Sequence, residues 1–199
     1  MHDDFSALCG ITEQELLTDL KPDIERMAKA NNGTYEEACA HLKRQYDGYH
    51  FSTNMTNIYN PFSILNAFRM NEIRDYWFAT GTPTYLIRLL QHSREQMNEL
   101  TGKYYDPAMF VDYKANVEQP LPMIYQSGYL TIKEYNKRMG TYLLDFPNNE
   151  VRKGFLSMLA ASYMKPKSKE MTSWITDAVM TLEQGDTDVF RRSLTSFLA

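Results

Sequence analysis

Four helix-start signals divide the first half of the chain, and they constrain its fold more than any other feature. Thr12 and Thr34 are each followed three residues later by a glutamate, which is the pattern of a capping box. Asn60 and Thr82 each precede a proline, which suits the first helical turn because no backbone donor is lost there. The sequence therefore predicts a series of short helices over this half.

The character of the sequence changes after Pro120 and Pro122. Residues 129–135 are β-prone and roughly alternating, residues 136–140 contain turn formers, and residues 141–146 return as a second strand. A helix is expected to follow. A helix, a hairpin with a basic tip and another helix form the outline of a winged-helix-like unit.

These patterns predict a mainly α fold with two parts. Residues 1–120 are expected to form a lid-like helical bundle. Residues 121–199 are expected to form a winged-helix-like unit with one β-hairpin, followed by a helical linker.

The composition is that of an ordinary globular protein. Of the 199 residues, 43% are hydrophobic and 23% are charged. No stretch approaches the roughly 20 apolar residues that cross a bilayer. Cys9 and Cys39 are the two cysteines, without a CxxC pair, so the sequence favours a reduced, cytoplasmic setting and no metal site.

The charge is unevenly distributed. The net charge is −4, yet residues 129–169 hold eight basic and three acidic residues. Three interpretations fit this cluster: contact with a DNA backbone, a solvated face, or a surface that docks against an acidic neighbouring domain. The candidate nucleic-acid contacts are Lys133, Lys137, Arg138, Arg152 and Lys153.

Several sequence blocks occur in a characteristic order. They are Tyr46-Asp47-Gly48-Tyr49, Tyr59-Asn60-Pro61-Phe62-Ser63, Gly128-Tyr129-Leu130-Thr131-Ile132 and Phe146-Pro147-Asn148-Asn149-Glu150-Val151-Arg152. In combination, the chain resembles the family of predicted AAA-ATPase-like proteins fused to a PD-(D/E)xK nuclease-like domain. The resemblance covers essentially the whole chain and corresponds to the region between the ATPase core and the nuclease.

The resemblance implies a non-catalytic connector. ATP and Mg²⁺ would belong to the parent's ATPase core, and this region would hold no cofactor. A P-loop requires GxxxxGK followed by Ser or Thr, but Gly102-Lys103 is followed by Tyr104. The expected partners are the ATPase core and the nuclease-like domain of the same chain, with no membrane involved.

The motif residues allow a functional and a structural interpretation. Tyr46, Asp47, Gly48 and Tyr49 could contact nucleotide in a lid, but turn chemistry explains the aspartate and glycine without a ligand. Asn60-Pro61 is a candidate lid motif and also a helix start. Lid arginines often stabilise phosphate charge, and four candidates remain undistinguished: Arg44, Arg69, Arg74 and Arg88.

Two other functions remain open on the sequence. The chain could be a nucleic-acid-binding module that acts through its basic wing. It could also be a structural scaffold for oligomer assembly. We therefore predict no catalytic residues, and we leave the nucleotide, the nucleic-acid type and the oligomeric state open.

Overall fold

A computed structural model describes residues 6–77, 84–92, 100–111, 119–163, 174, 177, 180–181 and 185–198. The chain divides into two compact units, residues 1–159 and residues 160–199. The second predicted proline start, at Thr82, lies outside the described residues.

Four helices build the first part of the larger unit. The helices are α1 (Glu13–Thr18), α2 (Lys21–Ala30), α3 (Tyr35–Tyr46) and α4 (Pro61–Met70). Both predicted capping boxes are confirmed, since the side chains of Thr12 and Thr34 each accept from an N–H in the first turn. Asn60 caps α4 by accepting from the N–H of Phe62 at 3.0 Å. Local sequence therefore fixes where α1, α3 and α4 begin.

The other helices in the described part of the chain are α5 (Thr84–His92), α6 (Leu121–Gln126), α7 (Asn149–Tyr163) and α8 (Thr187–Leu198), with a short 3₁₀ turn over Pro107–Met109. The predicted helix after the hairpin is α7. Among the described residues, no helix has the length and apolar character needed to cross a membrane.

The strands form two antiparallel sheets. Strand β1 (Ile11–Thr12) pairs with β2 (Ile58–Tyr59). Strands β3 (Lys103–Tyr105), β4 (Thr131–Asn136) and β5 (Thr141–Asp145) form a sheet in the order β3-β5-β4. The predicted hairpin, β4 with β5, is confirmed. A third strand, β3, which lies before residue 120 in the sequence, pairs with the other side of β5.

The prediction of a mainly α chain, with a lid-like bundle followed by a winged-helix-like unit, is wrong. The chain is a mixed α/β protein with two small antiparallel sheets. Strands β1, β2 and β3 are two or three residues long, so they are too short to show an alternating pattern. These strands form because they pair with strands that are distant in the sequence. A local pattern of residues does not predict such pairing.

Two hydrophobic clusters organise the unit. The helical cluster is centred on α2, α3 and α4 and includes the fully buried Ile24, Leu42 and Ile64. The sheet cluster includes Ile132, Leu144 and the helix residues Val151 and Phe155. Residues 46–63 contribute to both clusters, because Tyr46 and Tyr59 lie in the first and Tyr49 and Ile58 lie in the second.

The smaller unit contains α8. Within it, the indole nitrogen of Trp174 donates to the backbone carbonyl of Ser193 at 3.3 Å. Arg191 pairs with Asp188 on the exposed face of α8.

Candidate functional site: a polar junction and its cleft

A lysine from the hairpin links two of the sequence blocks. The Nζ of Lys133 donates to the carbonyl of Pro147 at 2.7 Å and to the carbonyl of Gly48 at 3.1 Å. Burial lowers the pKa of Lys133, and the negative charges of Asp145 and Asp47 oppose that shift. We call Asp47, Gly48, Lys133, Pro147 and Asn148 the polar junction.

Gly48 allows the two blocks to approach closely. Its φ is +100°, a conformation that side chains rarely adopt. A Cβ built at this position would lie 2.3 Å from the carbonyl oxygen of Pro147 and 3.0 Å from the Nζ of Lys133. Glycine is therefore required here both by backbone conformation and by space.

A buried carboxylate makes a second link beside the junction. Glu150, in the first turn of α7, has no exposed surface, and its Oε2 accepts from the hydroxyl of Ser63 at 2.7 Å. Its Oε1 accepts from the backbone N–H of Trp77 at 2.8 Å. Burial raises the pKa of Glu150, while these hydrogen bonds partly oppose the rise. The link joins α4, the segment after it and α7.

A third link connects His50, the residue after the first block, to β4. The backbone N–H of His50 donates to the hydroxyl of Thr131 at 2.8 Å, and that hydroxyl donates back to the His50 carbonyl at 3.0 Å. The Nδ1 of His50 lies 2.7 Å from the carbonyl oxygen of Ile132. These contacts lie at the start of β4, an edge strand of the sheet whose other side pairs with β5.

Aromatic side chains pack behind these polar links. Tyr129 contacts Trp77 at a ring separation of 5.1 Å and Phe155 at 5.0 Å. The hydroxyl of Tyr49 donates to the carbonyl of Gly128 at 3.2 Å. Burial raises the pKa of Tyr129 to about 12. Tyr49 and Tyr129, from two of the blocks, therefore contribute to the sheet cluster.

A cleft of about 480 Å³ opens beside the polar junction. It lies between the end of α3 and the start of α7. Three of its lining residues are cationic, and one is an aspartate. The lining residues are Lys43, Arg44, Asp47, Gly48, Phe146, Pro147, Asn148, Asn149 and Arg152.

Two buried polar atoms of this lining have no hydrogen-bond partner among the described residues. They are the Oδ1 of Asp47 and the Nδ2 of Asn148. Asp47 is 5% exposed, and burial raises the pKa of its carboxyl group. Asn148 uses its other side-chain atom, Oδ1, to accept from the N–H of Val151 at 3.1 Å and so cap α7.

The structure separates the five basic candidates. Lys133 is engaged inside the junction, whereas Lys137 and Arg138 are exposed at the hairpin turn. The guanidinium Nη2 of Arg152 lies 3.7 Å from the Oδ1 of Asp145, and the Nζ of Lys153 lies 3.0 Å from the Oδ2 of Asp75.

The other candidates occupy different surroundings. Tyr46 is fully buried, and its hydroxyl donates to the carbonyl of Arg74 at 2.7 Å. Asn60 and Pro61 begin α4. Of the four arginines, Arg44 lines the cleft and the Arg74 side chain pairs with Glu72 at 2.6 Å; Arg69 and Arg88 are exposed on α4 and α5.

The glycine-lysine pair does not fit a phosphate-binding loop. Gly102 donates its N–H to the carbonyl of Leu144 at 2.8 Å, and Lys103 belongs to β3. A P-loop needs such amides directed at phosphate. Within the described ranges, no three His, Cys, Asp or Glu side chains gather into a group that could hold a metal ion.

Sequence reasoning missed the roles of Ser63, Glu150 and Asn148. All three lie inside the quoted blocks, but an acid in a first helical turn predicts only a favourable helix dipole. The sequence feature that could have indicated these roles was the presence of polar residues inside blocks that are rich in aromatic residues. Nothing local indicated that these residues would contact each other.

The chain is distantly similar to a known protein. No family model matches the chain, and no solved structure matches it. The chain is 29% identical over 170 residues to a protein of Azotobacter chroococcum mcd 1 described as "Uncharacterized protein in vnfD 5'region". The match covers 84% of this chain and 30% of that relative. The chain therefore spans about a third of the length of the relative.

Proposed function

We propose that this chain is a non-catalytic connecting part of a larger AAA-type ATPase, between the nucleotide-binding core and a PD-(D/E)xK nuclease-like domain. The proposal starts from the resemblance carried by the four sequence blocks. It is consistent with a relative in which the matched region is 30% of a longer chain. The proposed setting is cytoplasmic.

The observation that supports this role best is the engagement of the blocks with one another. Lys133 bonds to the first and last blocks, and Glu150 bonds to the block that contains Ser63. These contacts join helices and sheet within one compact unit. A connector that transmits motion needs such internal stiffness, because a soft element would absorb the displacement.

The first test is the open reading frame on both sides of the chain. We expect a P-loop upstream and paired acids with a lysine downstream. If the flanking sequence encodes neither, the connector role is rejected. A purified chain that hydrolyses ATP or cleaves nucleic acid would also contradict it.

The second test uses the full-length parent. Lys133→Met should weaken the dependence of nuclease activity on ATP, because it breaks the link between two blocks. Lys137→Met is the matched control, since Lys137 is exposed at the hairpin turn. Equal coupling in the two variants would count against the role of the junction.

A second candidate function is nucleic-acid binding through the hairpin tip. The specific observation is the exposure of Lys137 and Arg138 at that turn. Phosphate contacts predict affinity for labelled duplex that falls steeply with salt. The Lys137→Glu, Arg138→Glu double variant should abolish it, whereas Arg69→Glu, on α4, should have less effect. Salt-independent anisotropy in the unmodified chain would exclude this function.

A further inference from the structure

We propose that the cleft beside the polar junction is a binding site for a small phosphate monoester, recognised through a protonated phosphate oxygen. The inference concerns this chain itself and does not depend on the connector role. It rests on three features of the cleft: its cationic lining, the carboxylate of Asp47 and the amide of Asn148.

The lining supplies the positive charge. Lys43, Arg44 and Arg152 all line the cleft, and the N-terminal end of α7 adjoins it. Lys43 pairs with Glu13 at 2.6 Å, and Arg152 lies 3.7 Å from Asp145. Arg44 makes no ion pair with a described residue. Arginine and lysine side chains with a helix N-terminus form favourable surroundings for a phosphate group.

The unpartnered atoms determine which anion fits. The Asp47 side chain is more than nine-tenths buried, and its Oδ1 has no donor among the described residues. An ionised carboxylate is an acceptor, so it requires a ligand that brings a hydrogen-bond donor. The second pKa of a phosphate monoester is about 6, so near that pH about half of the ligand keeps a P–OH, whereas sulfate and phosphodiesters have none. The Nδ2 of Asn148 supplies the complementary donor to a second phosphate oxygen.

Access to these two atoms requires a rearrangement of the cleft wall, because each atom exposes less than 1 Å². Arg44 and Arg152 are exposed members of that wall. The volume of about 480 Å³ exceeds that of phosphate and leaves room for the esterified group.

The test is calorimetric titration of the full chain at about pH 6, near the second pKa of a phosphate monoester, and at constant ionic strength, with two matched pairs of probes. The pairs are inorganic phosphate with sulfate, and methyl phosphate with dimethyl phosphate. We expect the protonated member of each pair to bind at least about tenfold more tightly, since a charge-assisted hydrogen bond distinguishes them. Equal binding within both pairs, or binding of neither member, would overturn the proposal.

Two nearly isosteric variants test which side chains cause the preference for phosphate over sulfate. Asp47→Asn supplies a donor in place of an acceptor, so the preference for phosphate over sulfate should disappear. Asn148→Asp keeps the oxygen that caps α7 but removes the amide donor, so phosphate affinity should fall about tenfold or more. Arg69→Ala, outside the cleft, should bind as the unmodified chain does. If Asp47→Asn fails to fold, unchanged affinity in Asn148→Asp still contradicts the site.

Discussion

The hydroxyl of Ser63 lies 2.7 Å from the carboxylate of Glu150, although the two residues are 87 positions apart in the chain. The contact is fully buried and joins α4 to α7. Because a buried carboxylate depends on its donors, the contact makes the position of α7 sensitive to a single hydroxyl group.

Removal of that hydroxyl should destabilise the protein. Ser63→Ala leaves Glu150 with one fewer donor in a buried site, so we expect the free energy of unfolding to fall by about 1–3 kcal/mol. Ser157→Ala, at an exposed position of α7, is the control and should change it by less than about 0.5 kcal/mol. Chemical denaturation measures both. Equal effects would mean that the hydrogen bond contributes nothing specific.

The same carboxylate predicts a dependence of stability on pH. Burial raises the pKa of Glu150 above its usual value of 4.5. A group with a raised folded-state pKa contributes its full stability below the unfolded pKa and loses it as pH rises through the folded pKa. The free energy of unfolding of Glu150→Gln relative to the unmodified chain should therefore rise as pH increases above about 4.5 and then level off. Parallel pH profiles for the two proteins would contradict this direction.

Substitution of Gly48 should be far more costly than substitution of another glycine with positive φ. In Gly48→Ala the new Cβ would meet the Pro147 carbonyl, and we expect a loss of about 3 kcal/mol or more. Gly140→Ala is a matched control, because Gly140 has a φ of +67° with no atom near its Cβ position. That variant should lose about 1–2 kcal/mol. Thermal unfolding of both variants separates steric conflict from backbone strain.

Replacement of Lys133 should weaken the polar junction. Lys133→Met keeps much of the aliphatic stem but leaves the carbonyls of Gly48 and Pro147 without their donor. The variant also removes a buried ammonium group, and this offsets part of the loss. We therefore expect the free energy of unfolding to fall by about 1–2 kcal/mol. Lys137→Met should be nearly neutral. Hydrogen exchange should also accelerate around residues 47–50 in Lys133→Met, and unchanged exchange there would argue against the link.

The sequence was informative wherever the signal was local. The capping threonines predicted the starts of α1 and α3, and the alternating residues 129–135 predicted β4. Strand β3 was not predictable, because its three residues are defined by pairing with β5 about 40 positions later. This missed strand is one reason why the expected mainly α architecture was wrong.

The candidate site was less predictable than the fold. Asp47 and Gly48 were identified as a motif, but their chemistry depends on Lys133, Pro147 and Asn148 from distant segments. Lys133 was grouped with exposed bases because charge counting cannot distinguish a solvated lysine from one that bonds to two carbonyls. Long-range polar contacts are specified by the folded core rather than by the local spacing of hydrophobic and polar residues.

The placement of His50 beside β4 has a consequence for solubility. A free strand edge presents unpaired carbonyl and amide groups, which invite pairing with a strand of another molecule and hence aggregation. The imidazole Nδ1 of His50 lies within hydrogen-bond distance of the carbonyl oxygen of Ile132, and the backbone N–H of His50 donates to the Thr131 hydroxyl. At the start of β4, the side that would otherwise recruit a foreign strand is therefore blocked by a segment that does not itself extend the sheet.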